Sequence, residues 1–210
     1  MKITYQPPEV EGGDEQLYVI LAAGTGFAVL EGVDLAPVSS FQDVWKHGCV
    51  DVCVVPRCTY HEFELFSSSP RSIYVVSSGP VQDDNNSPYA KCHRVDLPIV
   101  KPNDGKAMEQ AAEVTEIGSY LIDKALIRTP LPGSHQTHRT NCLSCSGRYV
   151  LRIVGGCMFS WSLLSRQITA MVAPERGETF VSLLLHPSEP LVFLGHASGS
   201  VCVYKQDGPQ

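Results

Sequence analysis

The chain has 210 residues, enough for one sizeable domain or two small ones at roughly 100 to 200 residues per domain. Hydrophobic residues make up 43% and charged residues 18%, against about 25% charged in ordinary soluble domains, which argues against disorder over most of the length. Sixteen Lys plus Arg against 22 Asp plus Glu leave a net charge of −6, so there is no general electrostatic attraction for nucleic acid or anionic lipid.

Residues 1–16 hold Pro7, Pro8, Gly12, Gly13 and acidic side chains, which suits an extended N-terminal tail or one edge strand. The most apolar stretch, 17–30, is broken by Gly24, Thr25 and Gly26 and falls short of the roughly 20 residues a bilayer span needs. Asp14 and Glu15 precede it where a secretory signal would be basic, so neither insertion in a membrane nor export is expected. The expected location is intracellular, cytoplasmic or nuclear. From Leu17 onward, short β-branched and aromatic runs alternate with Gly or Pro, the pattern of an all-β chain built from hairpins. The expected strands are 18–23, 27–31, 49–56, 72–78 and 89–95, then 139–143, 148–154, 157–163, 168–172, 180–185, 191–195 and 200–205.

Two segments break that rhythm. Residues 80–88 form a polar loop around Asp83, Asp84, Asn85 and Asn86. Between 105 and 127 the apolar residues Met108, Ala111, Ala112, Val114, Ile117, Leu121, Ala125 and Leu126 recur every three or four positions behind Asp104 as an N-cap. That spacing predicts an amphipathic helix. Val114, Thr115, Ile117 and Gly118 are weak helix formers, which leaves strand as the alternative for its second half.

A repeat organises the second half. The run from Cys142 to Trp161 and the run from Ser182 to Tyr204 each read as strand, polar turn, strand, Gly-containing turn and a strand ending in an aromatic. Gly156 and Gly199 stand 43 positions apart, as do Trp161 and Tyr204. A period of about 40 to 45 residues matches one four-stranded propeller blade. With their His186-Pro187-Ser188-Glu189-Pro190 turn and the alternating strand from Ala197 to Tyr204, residues 137–205 resemble two consecutive blades of a WD40-type β-propeller. The resemblance implies a mainly β fold, a partial or small propeller of three to four blades with one inserted helix. The expected organisation is a tail at 1–16, divergent blades at 17–104, a helical insertion and loop at 105–136, and two blades at 137–210. It further implies that Leu183, Leu185, Val192, Leu194, Val201 and Val203 pack between sheets, and that Trp161 and Tyr204 are blade-packing aromatics.

Four patterns carry chemistry. His135, His138, Cys142 and Cys145 are all zinc-ligating types in H-x2-H-x3-C-x2-C spacing, set against a solvated loop followed by buried thiols. Cys49, Cys53, Cys58 and His61 form a second such group. Leu21-Ala-Ala-Gly-Thr-Gly26 resembles the Gly-rich nucleotide cradle of sugar-phosphate nucleotidyltransferases, but no Lys or Arg follows before Lys46, which favours a plain hairpin turn. A catalytic Cys–His pair is conceivable, although no one of the eight Cys and seven His is singled out. Scattered through apolar runs, the cysteines read as reduced, packed thiols.

The sequence thus points to a non-catalytic scaffold or adaptor subunit of an intracellular multiprotein complex, without cofactor. The alternative is a zinc-binding or hydrolytic protein using a Cys/His cluster. Because the last blade ends after its third strand, a protein partner is expected to cover the open propeller, in preference to residues 1–10 returning as a closing strand.

Overall fold

The structure, a computed structural model, describes residues 2–6, 16–32, 34–56, 72–80, 88–97, 113–123, 142–186 and 189–206. Their regular structure is all strand, in four antiparallel sheets that follow one another along the chain. The first sheet runs β1 (Lys2–Gln6), β2 (Gln16–Ala23), β3 (Gly26–Glu31) and β4 (Ala36–Phe41). The second runs β5 (Asp51–Val54), β6 (Ser72–Ser78), β7 (Ala90–Asp96) and β8 (Glu113–Tyr120). The third is β9 (Leu143–Cys145), β10 (Tyr149–Val154), β11 (Cys157–Ser162) and β12 (Ile168–Val172). The fourth has three strands, β13 (Phe180–Leu185), β14 (Leu191–His196) and β15 (Val201–Lys205).

Every sheet is a simple meander in strand order, and glycines close several of the described hairpins. Val154 pairs with Cys157 across Gly155 and Gly156, whose φ angles of +57° and +80° suit the two-residue turn that matches strand twist. A Cβ on Gly156 would also lie 3.1 Å from Thr179 Cγ2, in the link to the fourth sheet. The equivalent turn of that sheet carries Gly199 at φ +94°. The offset of 43 therefore superposes β10–β11 on β14–β15, with Trp161 and Tyr204 on corresponding third strands.

The structure corrects the sequence reading at two places and selects one of its alternatives at a third. The predicted helix is absent from its described part: residues 113–120 are β8, an outer strand paired with β7. The β-branched Val114, Thr115 and Ile117 favour that state, and pairing along β7 with a register shift at Cys92/His93 overrides the three-and-four spacing. Residues 105–112 lie outside the described part. Residues 2–6 take the edge-strand alternative of the sequence reading, forming β1 on β2, in a different sheet from β15. Val201 and Val203, expected between sheets, instead face away from the third sheet. The pairing Leu194↔Cys202 puts Cys202 and Tyr204 on the packed side and leaves the two valines on the other.

The sheets stack face to face in chain order. Tyr18, Ile20, Phe27 and Val29 of the first meet Val52, Ile73, Val75 and Val95 of the second. Tyr74, Val76 and Tyr120 of the second meet Leu143, Val150, Phe159 and Trp161 of the third. Leu151, Ile153 and Met158 of the third meet Phe180, Leu183, Val192 and Leu194 of the fourth. The first strands β1, β5, β9 and β13 are successive neighbours along one side of this stack.

Candidate functional site

Of the zinc candidates, the described residues are Cys49, Cys53, Cys142 and Cys145. Cys142 and Cys145 sit on opposite faces of β9, with Cys142 Sγ 3.5 Å from Val181 O in the seam with the fourth sheet and Cys145 Sγ 3.1 Å from Val54 O in the seam with the second. The two thiols are thus directed to different seams. His135 and His138 lie outside the described residues, as do Cys58 and His61. Cys53 is packed in the core, and burial pushes the Cys49 thiol up to about 11. Among the described residues no three His, Cys, Asp or Glu side chains are grouped to hold a metal, and the seven described cysteines are free thiols. The Gly24-Thr25 segment is a hairpin turn whose Thr25 Oγ1 binds Gln42 Oε1 at 3.1 Å.

The buried polar groups tie sheets together. Asp51 accepts from the main-chain N of Val52 at 2.9 Å with one oxygen, and from Cys142 and Leu143 at 3.1 and 3.2 Å with the other, joining β5 to β9. The wholly enclosed Arg152 guanidinium donates to Tyr89 O and Gly79 O, and burial lowers its pKa to about 10. Trp161 Nε1 donates to Leu121 O at 2.8 Å and Tyr120 Oη to Leu163 O at 3.1 Å, a reciprocal clamp across the same seam. On the first-to-second seam, Trp45 Nε1 donates to Ser77 Oγ at 2.9 Å, and that oxygen lies 3.0 Å from His93 Nε2. Burial pulls His93 down to about 4, keeping the imidazole neutral. These groups fix sheet orientation and leave no side chain poised on open space.

What is open is the outer face of the fourth sheet. Leu184, Phe193 and Val203 form one cross-strand row, and Ser182, Gly195 and Val201 the next. Leu184, Val201 and Val203 are 61, 64 and 53% exposed, whereas Leu183, Val192 and Leu194 on the opposite face are buried. His186 tilts over Phe193 with ring centres 6.4 Å apart and so borders the apolar surface. Beside it, β15 ends the described sheet without a fourth strand. Leu184, Val201 and Val203 are thus neighbouring exposed apolar side chains beside the last strand of the described sheet. The four repeat positions Gly156, Trp161, Gly199 and Tyr204 build the hairpins beneath this face and take no part in it directly.

Compared with known proteins, the chain matches no family model and has no significant match among curated sequences.

Proposed function

We propose that the protein is a non-catalytic scaffold or adaptor subunit, an open propeller-like platform whose fourth sheet docks a protein partner. The observation that carries this reading is the outer face of β13–β15, where Leu184, Val201 and Val203 lie exposed although the same sheet is apolar on its packed side. Four consecutive meanders stacked in order, with their first strands adjacent and a 43-residue offset between the last two, support the propeller-like arrangement. The partner suited to this surface offers apolar side chains and an extended segment to pair with β15, with at least about 1,000 Å² buried in the contact. Seven free thiols suit a reducing, intracellular compartment.

The test is affinity purification of the tagged wild-type chain beside a Val201→Glu, Val203→Glu double variant, with mass spectrometry of both and circular dichroism to verify folding. A stoichiometric protein retained by the wild type and lost from the folded variant is the expected result. The same protein on both chains, or a stable monomer with no partner, overturns it.

A further inference from the structure

The hairpin of β14 and β15 assembles a line of three groups that none of the preceding roles uses. Cys202 Sγ lies 3.3 Å from His196 Nε2, and His196 Nδ1 lies 3.6 Å from Glu178 Oε2. The Phe180 ring backs the imidazole at 4.8 Å between centres, which limits its rotation. Six residues separate the thiol from the ring in sequence, and the Ala197–Ser200 turn brings them together: Ser200 O accepts from His196 N at 2.8 Å, and Gly199 N donates to His196 O at 3.0 Å.

Hydrogen-bond accounting shows what the arrangement favours. The thiol proton has two acceptors within reach, Leu194 O at 3.6 Å and His196 Nε2 at 3.3 Å. His196 Nδ1 is enclosed and has no hydrogen-bond partner, since Glu178 stands just beyond hydrogen-bond range. A buried unpaired ring nitrogen is costly. With Nε2 as the acceptor, Nδ1 carries the ring hydrogen and faces the Glu178 carboxylate, and when the Cys202 proton moves to Nε2 the ring becomes a cation with one N–H toward the sulfur and one toward Glu178. Proton transfer therefore sets an imidazolium between the thiolate and the Glu178 carboxylate, whose Oε2 is 3.6 Å from Nδ1, and it creates the nucleophilic form of the sulfur. Cys202 is partly exposed and lies on β15, the last strand of the described sheet.

We infer that Cys202, with His196 as its proton acceptor and Glu178 as the positioning carboxylate, is a reactive thiol site for thiol–disulfide exchange with small disulfides. In that step the Cys202 sulfur attacks one sulfur of the disulfide, a new S–S bond forms as the old one breaks, and the departing thiolate takes the proton held on His196. One disulfide and one protein thiol become one mixed disulfide and one small thiol. The described titratable groups around the site are Glu178, Tyr204 and, beside Tyr204, Glu175. Burial first and then Cys202 raise the Tyr204 hydroxyl, so it stays neutral while the exchange proceeds. This site is independent of the docking face, because Cys202 points to the packed side of the sheet and Val201 and Val203 to the other.

The probe is oxidised glutathione added to the reduced full-length chain, with the rate at each cysteine resolved by peptide mass spectrometry between pH 6 and 8.5. The expected result is mixed-disulfide formation at Cys202 about tenfold faster at pH 7 than for N-acetylcysteine amide, with a shallow pH dependence. His196→Gln lowers the Cys202 rate about tenfold and restores the steep pH rise of a simple thiol, leaving Cys157 unchanged. Glu178→Gln, an exposed-side substitution that leaves the core intact, lowers the Cys202 rate by a smaller factor and keeps the inference testable if His196→Gln fails to fold. A wild-type Cys202 no faster than the reference thiol, or one indifferent to both substitutions, overturns the assignment.

Discussion

The second-to-third seam and the fourth sheet are made of similar material and end in opposite situations. β6 reads Ser-Ile-Tyr-Val-Val-Ser-Ser and is buried at every position, with Ile73 and Val75 against the first sheet and Tyr74 and Val76 against the third. β14 reads Leu-Val-Phe-Leu-Gly-His and buries only Val192 and Leu194, while Leu191 and Phe193 face outward beside the exposed valines of β15. Both strands are apolar on both faces. Among the described residues, one has a neighbouring sheet on each side and the other on one side only. The difference teaches that apolar composition on two faces does not by itself place a strand inside the stack, since the same composition at the last described sheet leaves one face exposed.

The strongest way to break the comparison is at its aromatics. Trp161 is fully buried and bonded across the seam, so Trp161→Ala is expected to cost about 3–5 kcal/mol in urea denaturation. Its repeat counterpart Tyr204 packs only partly against the third-to-fourth cluster, and Tyr204→Ala is expected to cost about 1 kcal/mol. Equal costs would remove the distinction between an interior and an end sheet.

Acid titration probes the other covered seam. The unfolded His93 imidazole takes up its proton near 6.5 and the folded one near 4, so between those values the unfolded state binds more protons. Stability is therefore fully present above pH 6.5 and declines by about 3 kcal/mol as pH falls to 4. His93→Gln should flatten that window in denaturation curves taken at a series of pH values, and an unchanged slope would show that His93 is accessible.

Glycine substitutions sharpen the contrast further. A Cβ on Gly79 would overlap the Trp45 ring, so Gly79→Ala is expected to lose about 1–3 kcal/mol through displacement of the Trp45–Ser77 bond. That effect is measurable by Trp fluorescence as well as by thermal melting. The smallest expected effect is at the open face. Val203→Glu should change the stability of the isolated chain by no more than about 0.5 kcal/mol, because its side chain already meets solvent. A large loss would mean that the face is already covered within the chain or by a second copy.

Much of the strand inventory was legible in the residues, since 72–78, 168–172 and 180–185 were bounded by turn chemistry on both sides. The exceptions are edge strands. β4, Ala-Pro-Val-Ser-Ser-Phe, buries only Phe41 and so carries no alternating apolar signal. β8 has its apolar residues at spacings a helix also satisfies, and only the hydrogen bonds offered by β7 decide for strand.

By itself the sequence determined a β-rich chain of hairpins, its glycine turns and the 43-residue offset, because those follow from φ preferences and local alternation. The tertiary structure alone decided which side of each strand is inside. Alternation distinguishes two faces without labelling them, and a register such as Leu194↔Cys202 assigns Cys202 to the packed side and Val201 and Val203 to the open one. The same register brings His196 to Cys202, a proximity absent from sequence spacing because a hairpin, unlike a helix, has no fixed interval at which side chains meet.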